Sequence, residues 1–181
     1  NNLGLLLARL QRYPEALQQV DSAIVISTKA LGAEHGQTYK LIANRYLILS
    51  NKGDHSEALA GFDGVLPMVE KAFGSDNPEL AEFLWCQGNS AYALGDTAKA
   101  ATVLLASYRI TPAARTSWLM YRIALDTGHK EQALDHLVHC ATARRDDPKA
   151  RPADRKESMD ALAALAKELG RPDILKEFNL E

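Results

Sequence analysis

The sequence predicts an all-α fold of stacked antiparallel helix pairs, and three observations carry that expectation. Alanine and leucine dominate a chain of 181 residues that is 46% apolar and 24% charged, whereas strand-forming β-branched residues are comparatively sparse. A six-residue block recurs along the chain. On either side of its copies lie apolar stripes at helical spacing.

The block reads Gly53-Asp54-His55-Ser56-Glu57-Ala58, then Gly95-Asp96-Thr97-Ala98-Lys99-Ala100, then Gly128-His129-Lys130-Glu131-Gln132-Ala133. Weaker copies are Gln11-Arg12-Tyr13-Pro14-Glu15-Ala16 and Gly170-Arg171-Pro172-Asp173-Ile174-Leu175. Their last positions fall at 16, 58, 100, 133 and 175, in steps of 42, 42, 33 and 42 residues, a regularity that marks internal repeats. Glycine after an apolar run supplies the left-handed turn that ends one helix, and the following residues open the next. Each block is therefore a hinge inside a helix pair, with Pro14 and Pro172 in the tolerant first turn of the second helix.

Upstream stripes such as Leu80, Leu84, Gly88, Ala91 and Tyr92, or Trp118, Tyr121, Ala124 and Leu125, belong to first helices. Downstream stripes such as Leu59, Phe62 and Leu66, or Ala101, Leu104, Leu105 and Tyr108, belong to second helices. Small residues at Gly4, Ala16, Ala23, Ala58, Gly88, Ala100 and Ala133 fall where two helices must approach closely. Gly61, Gly64 and Pro67 weaken the second helix of the second pair and predict a kink or an early end near Leu66. Residues 144–152 read as a polar, proline-bounded loop with solvated charges.

In Gly88, Tyr92, Gly95, Ala100 and Pro112 the chain resembles the tetratricopeptide repeat family, with its small–aromatic–Gly–Ala pattern and closing proline. The first two repeats are similar to the longer repeat of kinesin light chains, in Asn1-Asn2-Leu3-Gly4, Tyr13-Pro14-Glu15-Ala16, Ala30-Leu31-Gly32-Ala33-Glu34-His35-Gly36 and Phe73-Gly74-Ser75-Asp76-Asn77-Pro78. There the second helix runs about two turns further, to a Leu-Gly or Phe-Gly stop, which accounts for the 42-residue step. The resemblance implies a right-handed superhelical solenoid over residues 1–181, with repeats near 1–36, 37–77, 78–111, 112–148 and a capping repeat at 149–181.

It also implies a concave face, lined by the first helices, that binds an extended peptide or a helix of a partner protein. The groove positions of the family fall on Arg9, Lys40, Asn44, Asn51, Trp85, Asn89, Tyr92, Trp118 and Arg122. Aromatic and arginine side chains offer large contact areas with hydrogen-bonding tips, and Asn44 and Asn89 could pair with a peptide backbone. Trp85 and Trp118 take the same place in successive repeats and have a second reading, as core between adjacent helices.

Other functions find little support. A formal charge of -2 and a pI near 6.2 give no pull toward nucleic acid or anionic membranes. The apolar stretches Leu3 to Ala8 and Leu41 to Leu49 are interrupted well short of a membrane span. Cys86 and Cys140 fit neither a paired-cysteine metal motif nor a disulfide-rich scaffold, although a single bridge stays open. His136, His139 and Cys140 form the best metal-like cluster, but a third and fourth ligand are missing and Cys140 sits where a small buried residue belongs. His35, His55 and His129 lie in turns without a nucleophile and acid at catalytic spacing, and no phosphate-binding glycine motif occurs.

The reading is therefore a protein-interaction scaffold, not an enzyme, with no cofactor and no metal. Self-association through Leu3, Leu6, Leu7 and Leu10 is the alternative, which leaves a homo-oligomer open, and a metal-dependent enzyme the remote one. The opening Asn1-Asn2-Leu3-Gly4 already reads as the inside of a helix, so an upstream portion of a larger protein is expected. Repeats of the longer type resemble those appended to bacterial signalling kinases, transcription regulators and motor-associated light chains. That implies a regulatory or targeting arm, with a catalytic domain such as a protein kinase upstream, in the cytoplasm or outside it if the parent is a membrane protein.

Overall fold

In a computed structural model, which describes residues 2–180, those residues form ten helices and no strand. They pair in chain order as α1 (Asn2–Arg9) with α2 (Tyr13–Leu31), α3 (Gly36–Lys52) with α4 (His55–Phe73), α5 (Pro78–Ala93) with α6 (Thr97–Ile110), α7 (Ala114–Asp126) with α8 (Lys130–Asp146), and α9 (Pro152–Glu168) with α10 (Pro172–Glu177). The expected opening helix is present from Asn2, and Asn1 lies outside the described residues.

Every recurring block is a hinge of the same construction. At the second copy, Gly53 adopts φ 100° and donates its N–H to the Leu49 and Ser50 carbonyls, and the Asp54 N–H reaches the Leu49 carbonyl at 3.0 Å. This double closure ties off carbonyls that the helix end would leave unpaired. The same two bonds recur at Gly95 and Asp96, Gly128 and His129, and Gly170 and Arg171. In the first copy Gln11 replaces glycine and still takes a left-handed φ of 59°, so the hinge persists where the favoured residue is absent.

Helix starts are also fixed locally. His35 Nδ1 accepts from the Gln37 N–H at 3.1 Å, Asn77 accepts from the Glu79 N–H at 2.8 Å, and Asp96 accepts from the Lys99 N–H at 3.0 Å. The long second helices α2 and α4 stop at Leu31 and Phe73, each followed by a glycine, Gly32 or Gly74, at positive φ.

The expected early end near Leu66 does not occur, because α4 continues unbroken through Gly61, Gly64 and Pro67 to Phe73. Its inward stripe of Ala58, Phe62, Val65, Leu66 and Val69 is buried. Gly61 has a packing purpose: a Cβ there would lie 2.1 Å from the Tyr46 ring, so glycine lets the ring of α3 lie against the α4 backbone.

The chain divides into two compact units, Asn1–Thr111 with α1 to α6 and Pro112–Glu181 with α7 to α10. In the first unit α1 packs on α3 as well as on α2, and α3 packs on α5 as well as on α4. Leu7, Ala8, Ala16, Val20 and Ile48 form one core cluster, and a larger one centres on Phe62, Leu66, Leu80 and Phe83. In the second unit Leu134, Leu137, Leu162, Leu165 and Phe178 form a separate core. The loop expected over 144–152 is shorter, because residues 144–146 are the last turn of α8 and the Arg144 side chain is only 12% exposed, and the segment is braced. Arg155 donates to the Arg144 carbonyl at 3.0 Å and to the Asp147 carbonyl at 2.5 Å, and Arg144 donates to the Asp154 carbonyl at 2.9 Å.

Candidate partner-binding surface

The first helices of the first unit form a row because small and hydroxyl residues let them, and their second helices, come close. Gly88 on α5 admits Leu104 of α6, where a Cβ would meet the leucine Cγ at 2.7 Å. Between α3 and α5, Ser50 Oγ donates to the Cys86 carbonyl at 3.2 Å and lies 2.9 Å from Ser90 Oγ, with His55 Nδ1 3.3 Å from the same hydroxyl. Nearer the start of both helices, Lys40 Nζ meets Glu79 Oε2 at 2.7 Å. These bonds fix the α3–α5 register at two points and so hold side chains on that row in set positions.

Against this frame the expected groove residues separate by environment. Arg9 and Asn51, one repeat of 42 residues apart, are both exposed. Lys40 is half-buried and engaged with Glu79. Asn89 is half-buried and makes no side-chain hydrogen bond among the described residues. Tyr92 is half-buried on the same stripe of α5 as Trp85 and Asn89. Asn44 is only 3% exposed, and the 42-residue register explains why: its counterpart on α5 is Cys86, at 0%. Asn44 and Asn89 therefore occupy different faces of their helices, and a peptide backbone on the surface has no route to the Asn44 amide.

The tryptophans combine both readings. Trp85 is half-buried against the larger core cluster, with its indole nitrogen out of reach of solvent. In the second unit Trp118 packs on the core there, with its ring 5.1 Å from that of Tyr121 and the Arg144 guanidinium 4.7 Å over its face. Arg122, exposed on the same helix, lies close enough to Tyr121 to offset part of the effect of burial, which raises the tyrosine's pKa. Arg144, expected as a solvated loop charge, instead stacks on Trp118. The stack joins α8 to α7 across a long sequence separation, and no local pattern marks it.

The histidine–cysteine cluster has the character of packing. Burial pushes the Cys140 thiol up to about 11, away from the thiolate a metal needs, and burial also lowers the pKa of His136. No group of three His, Cys, Asp or Glu side chains among the described residues could hold a metal ion. Cys86 and Cys140 are both buried thiols outside any disulfide. No helix among the described residues is long and apolar enough to cross a membrane.

Residues 1–36 match the family model of the tetratricopeptide repeat. Among solved structures, the chain is similar to a protein of Podosopora anserina described as a putative kinesin light chain with nearly identical TPR-like repeats. The TM-score is 0.71 at 16% identity over 98% of this chain and 90% of that one, and a single-substitution variant of the same protein matches equally. BtubC (BKLC) from P. vanneervenii superposes with a TM-score of 0.74 at 12% identity, over 97% of this chain and 74% of that one. No curated protein sequence matches the chain. Identities this low speak for the fold alone. The opening helix pair thus matches the tetratricopeptide repeat model by sequence, and the chain shares the fold of the TPR-like repeats of these solved structures.

Proposed function

We propose that the row of first helices in the first unit, α1, α3 and α5, docks an extended segment of a partner protein, with Asn89 pairing to its backbone and Trp85 and Tyr92 offering apolar contact beside it. The observation that carries the reading is the contrast on α5. Ser90 and Cys86 are locked into the α3 contact, whereas the neighbouring Asn89 amide reaches solvent with both its donor and acceptor uncommitted among the described residues. A rigid wall that presents an unused amide loses little side-chain freedom on binding. Arg9 and Asn51, exposed near the ends of α1 and α3, extend the same row, and Lys40 takes part by exchanging Glu79 for a partner carboxylate. In the second unit Trp118 and Arg122 offer a smaller surface of similar chemistry.

The test is Asn89→Ala, measured against a partner recovered with the wild-type chain. Affinity should fall by roughly five- to tenfold, the value of one or two hydrogen bonds, with thermal unfolding unchanged. Unaltered affinity removes Asn89 from the site. A second reading is self-association through the exposed Leu3 and Leu6 of α1 and Leu10 just beyond it, each more than half exposed at 54%, 53% and 60%. Leu7, grouped with them in the sequence, is instead buried against Ala16 and Val20. Light scattering on the purified chain separates the two readings, since a strict monomer at high concentration leaves only the first.

A further inference from the structure

Going beyond that row of helices, we infer that a cleft between α4 and α6 of the first unit takes one lysine or arginine side chain of a partner protein segment, together with the aliphatic residues flanking it. The cleft has a volume of about 580 Å³, within the range of roughly 300–1,000 Å³ typical of binding pockets.

At one end of the cleft α4 runs on past α6. The register that aligns Ala58 with Ala100 aligns Ile110, the last residue of α6, with Met68, so residues 69–73 of α4 have no counterpart on α6. The cleft is floored by buried Phe62, Leu66 and Leu80 and by partly exposed Leu84 and Ile110. Leu80 and Leu84 lie on a different stripe of α5 from Trp85 and Asn89, so this is a separate surface.

The rim of the cleft is richer in acceptors than in donors. Asp63 already holds Gln87 Nε2 at 2.7 Å and Lys99 Nζ at 2.5 Å, which cancels its charge. Glu70, Asp76 and Arg109 make no ion pair among the described residues, and the arginine offsets only one of the two carboxylates. A further acceptor comes from the backbone: Pro67 carries no N–H, so the Asp63 carbonyl one turn earlier lacks its helical donor. An apolar floor under one surplus negative charge suits a long aliphatic stem with a cationic tip, which buries its methylenes and keeps its charge at the rim. Aliphatic neighbours on the segment then meet Leu84 and Ile110.

The probe is a blocked pentapeptide with a central lysine between two leucines, flanked by serines, titrated into the 15N-labelled chain beside a twin with central glutamate. Amide shifts should concentrate at residues 63–76 and 106–110, and the lysine peptide should bind about fivefold tighter at low salt, the worth of one partly screened ion pair. The Glu70→Gln, Asp76→Asn double variant, in which both original side chains are exposed, should abolish that preference. Ala106→Phe should abolish binding by filling the cleft; if it fails to fold, the double variant decides. Asn89→Ala should leave peptide binding unchanged, so this inference and the docking row of first helices fail separately. Equal affinity for the two peptides, no shifts in those segments, or shifts gathered instead at residues 85–92 would overturn the proposal.

Discussion

Two glycines three residues apart on α4 make opposite predictions from the same chemical change. At Gly61 a methyl group would collide with the Tyr46 ring, so Gly61→Ala should cost about 1–3 kcal/mol by overpacking. At Gly64 an added Cβ meets nothing within 4 Å, so Gly64→Ala should gain about 0.5–1 kcal/mol from helix propensity. Urea midpoints of the two variants should therefore move in opposite directions, and a shared direction would mean that the Tyr46 contact is not what holds Gly61 in place. Cys140 offers a second residue-level test. Its thiol is buried, and with the pKa pushed up to about 11 only about a thousandth is thiolate at pH 8. A disulfide reagent at that pH should label neither Cys140 nor the equally buried Cys86 until the chain is unfolded, when both should react. The linkage has a definite sign. Because the folded state holds this proton more tightly than the unfolded one, its stabilising contribution is whole below pH 9 and is lost as the pH rises from there to about 11.

At the scale of the helix, α4 shows where sequence reasoning holds and where packing overrides it. Two glycines and a proline cost roughly 5 kcal/mol of helix propensity relative to alanine, which is why an early end was expected. Burial of Phe62, Val65, Leu66 and Val69 returns about 1.5–3 kcal/mol each, which exceeds that cost, and the helix runs on to Phe73. Pro67 is exposed, so Pro67→Ala should raise stability by as much as about 3 kcal/mol, read from the denaturant midpoint. A loss instead would show that the proline ring itself packs in the α4–α6 cleft. The hinges, by contrast, are legible residue by residue, because a left-handed glycine and a first-turn proline act locally. The candidate surface was legible only in part. Asn44 and Asn89 look alike along the chain, but which face an asparagine occupies depends on repeat register, and the register turns Asn44 inward to the place held by Cys86. The Arg144–Trp118 stack and the cleft beside Pro67 depend on helices meeting in space, which periodicity does not encode.

For the whole molecule, the division at Thr111 and Pro112 falls within the one 33-residue step that interrupts the 42-residue spacing. The clusters built on Phe62 and Val20 draw on α1 to α6, and that built on Leu162 draws on residues beyond Pro112. In a repeat array stability is close to a sum of pair stabilities and nearest-neighbour interfaces, so a unit keeping its own interfaces keeps most of its stability. Residues 1–111 alone should therefore remain helical by far-UV circular dichroism and unfold cooperatively. The remaining residues, with fewer helices and a smaller core, should melt at a lower temperature when isolated. The same argument extends to binding. Asn89 and the α4–α6 cleft both lie in the first unit, so residues 1–111 should bind the lysine pentapeptide as tightly as the full chain does. If residues 1–111 fold yet bind it several-fold more weakly, the second unit contributes to recognition and the cleft is not sufficient by itself; if they fail to fold, the two units are interdependent.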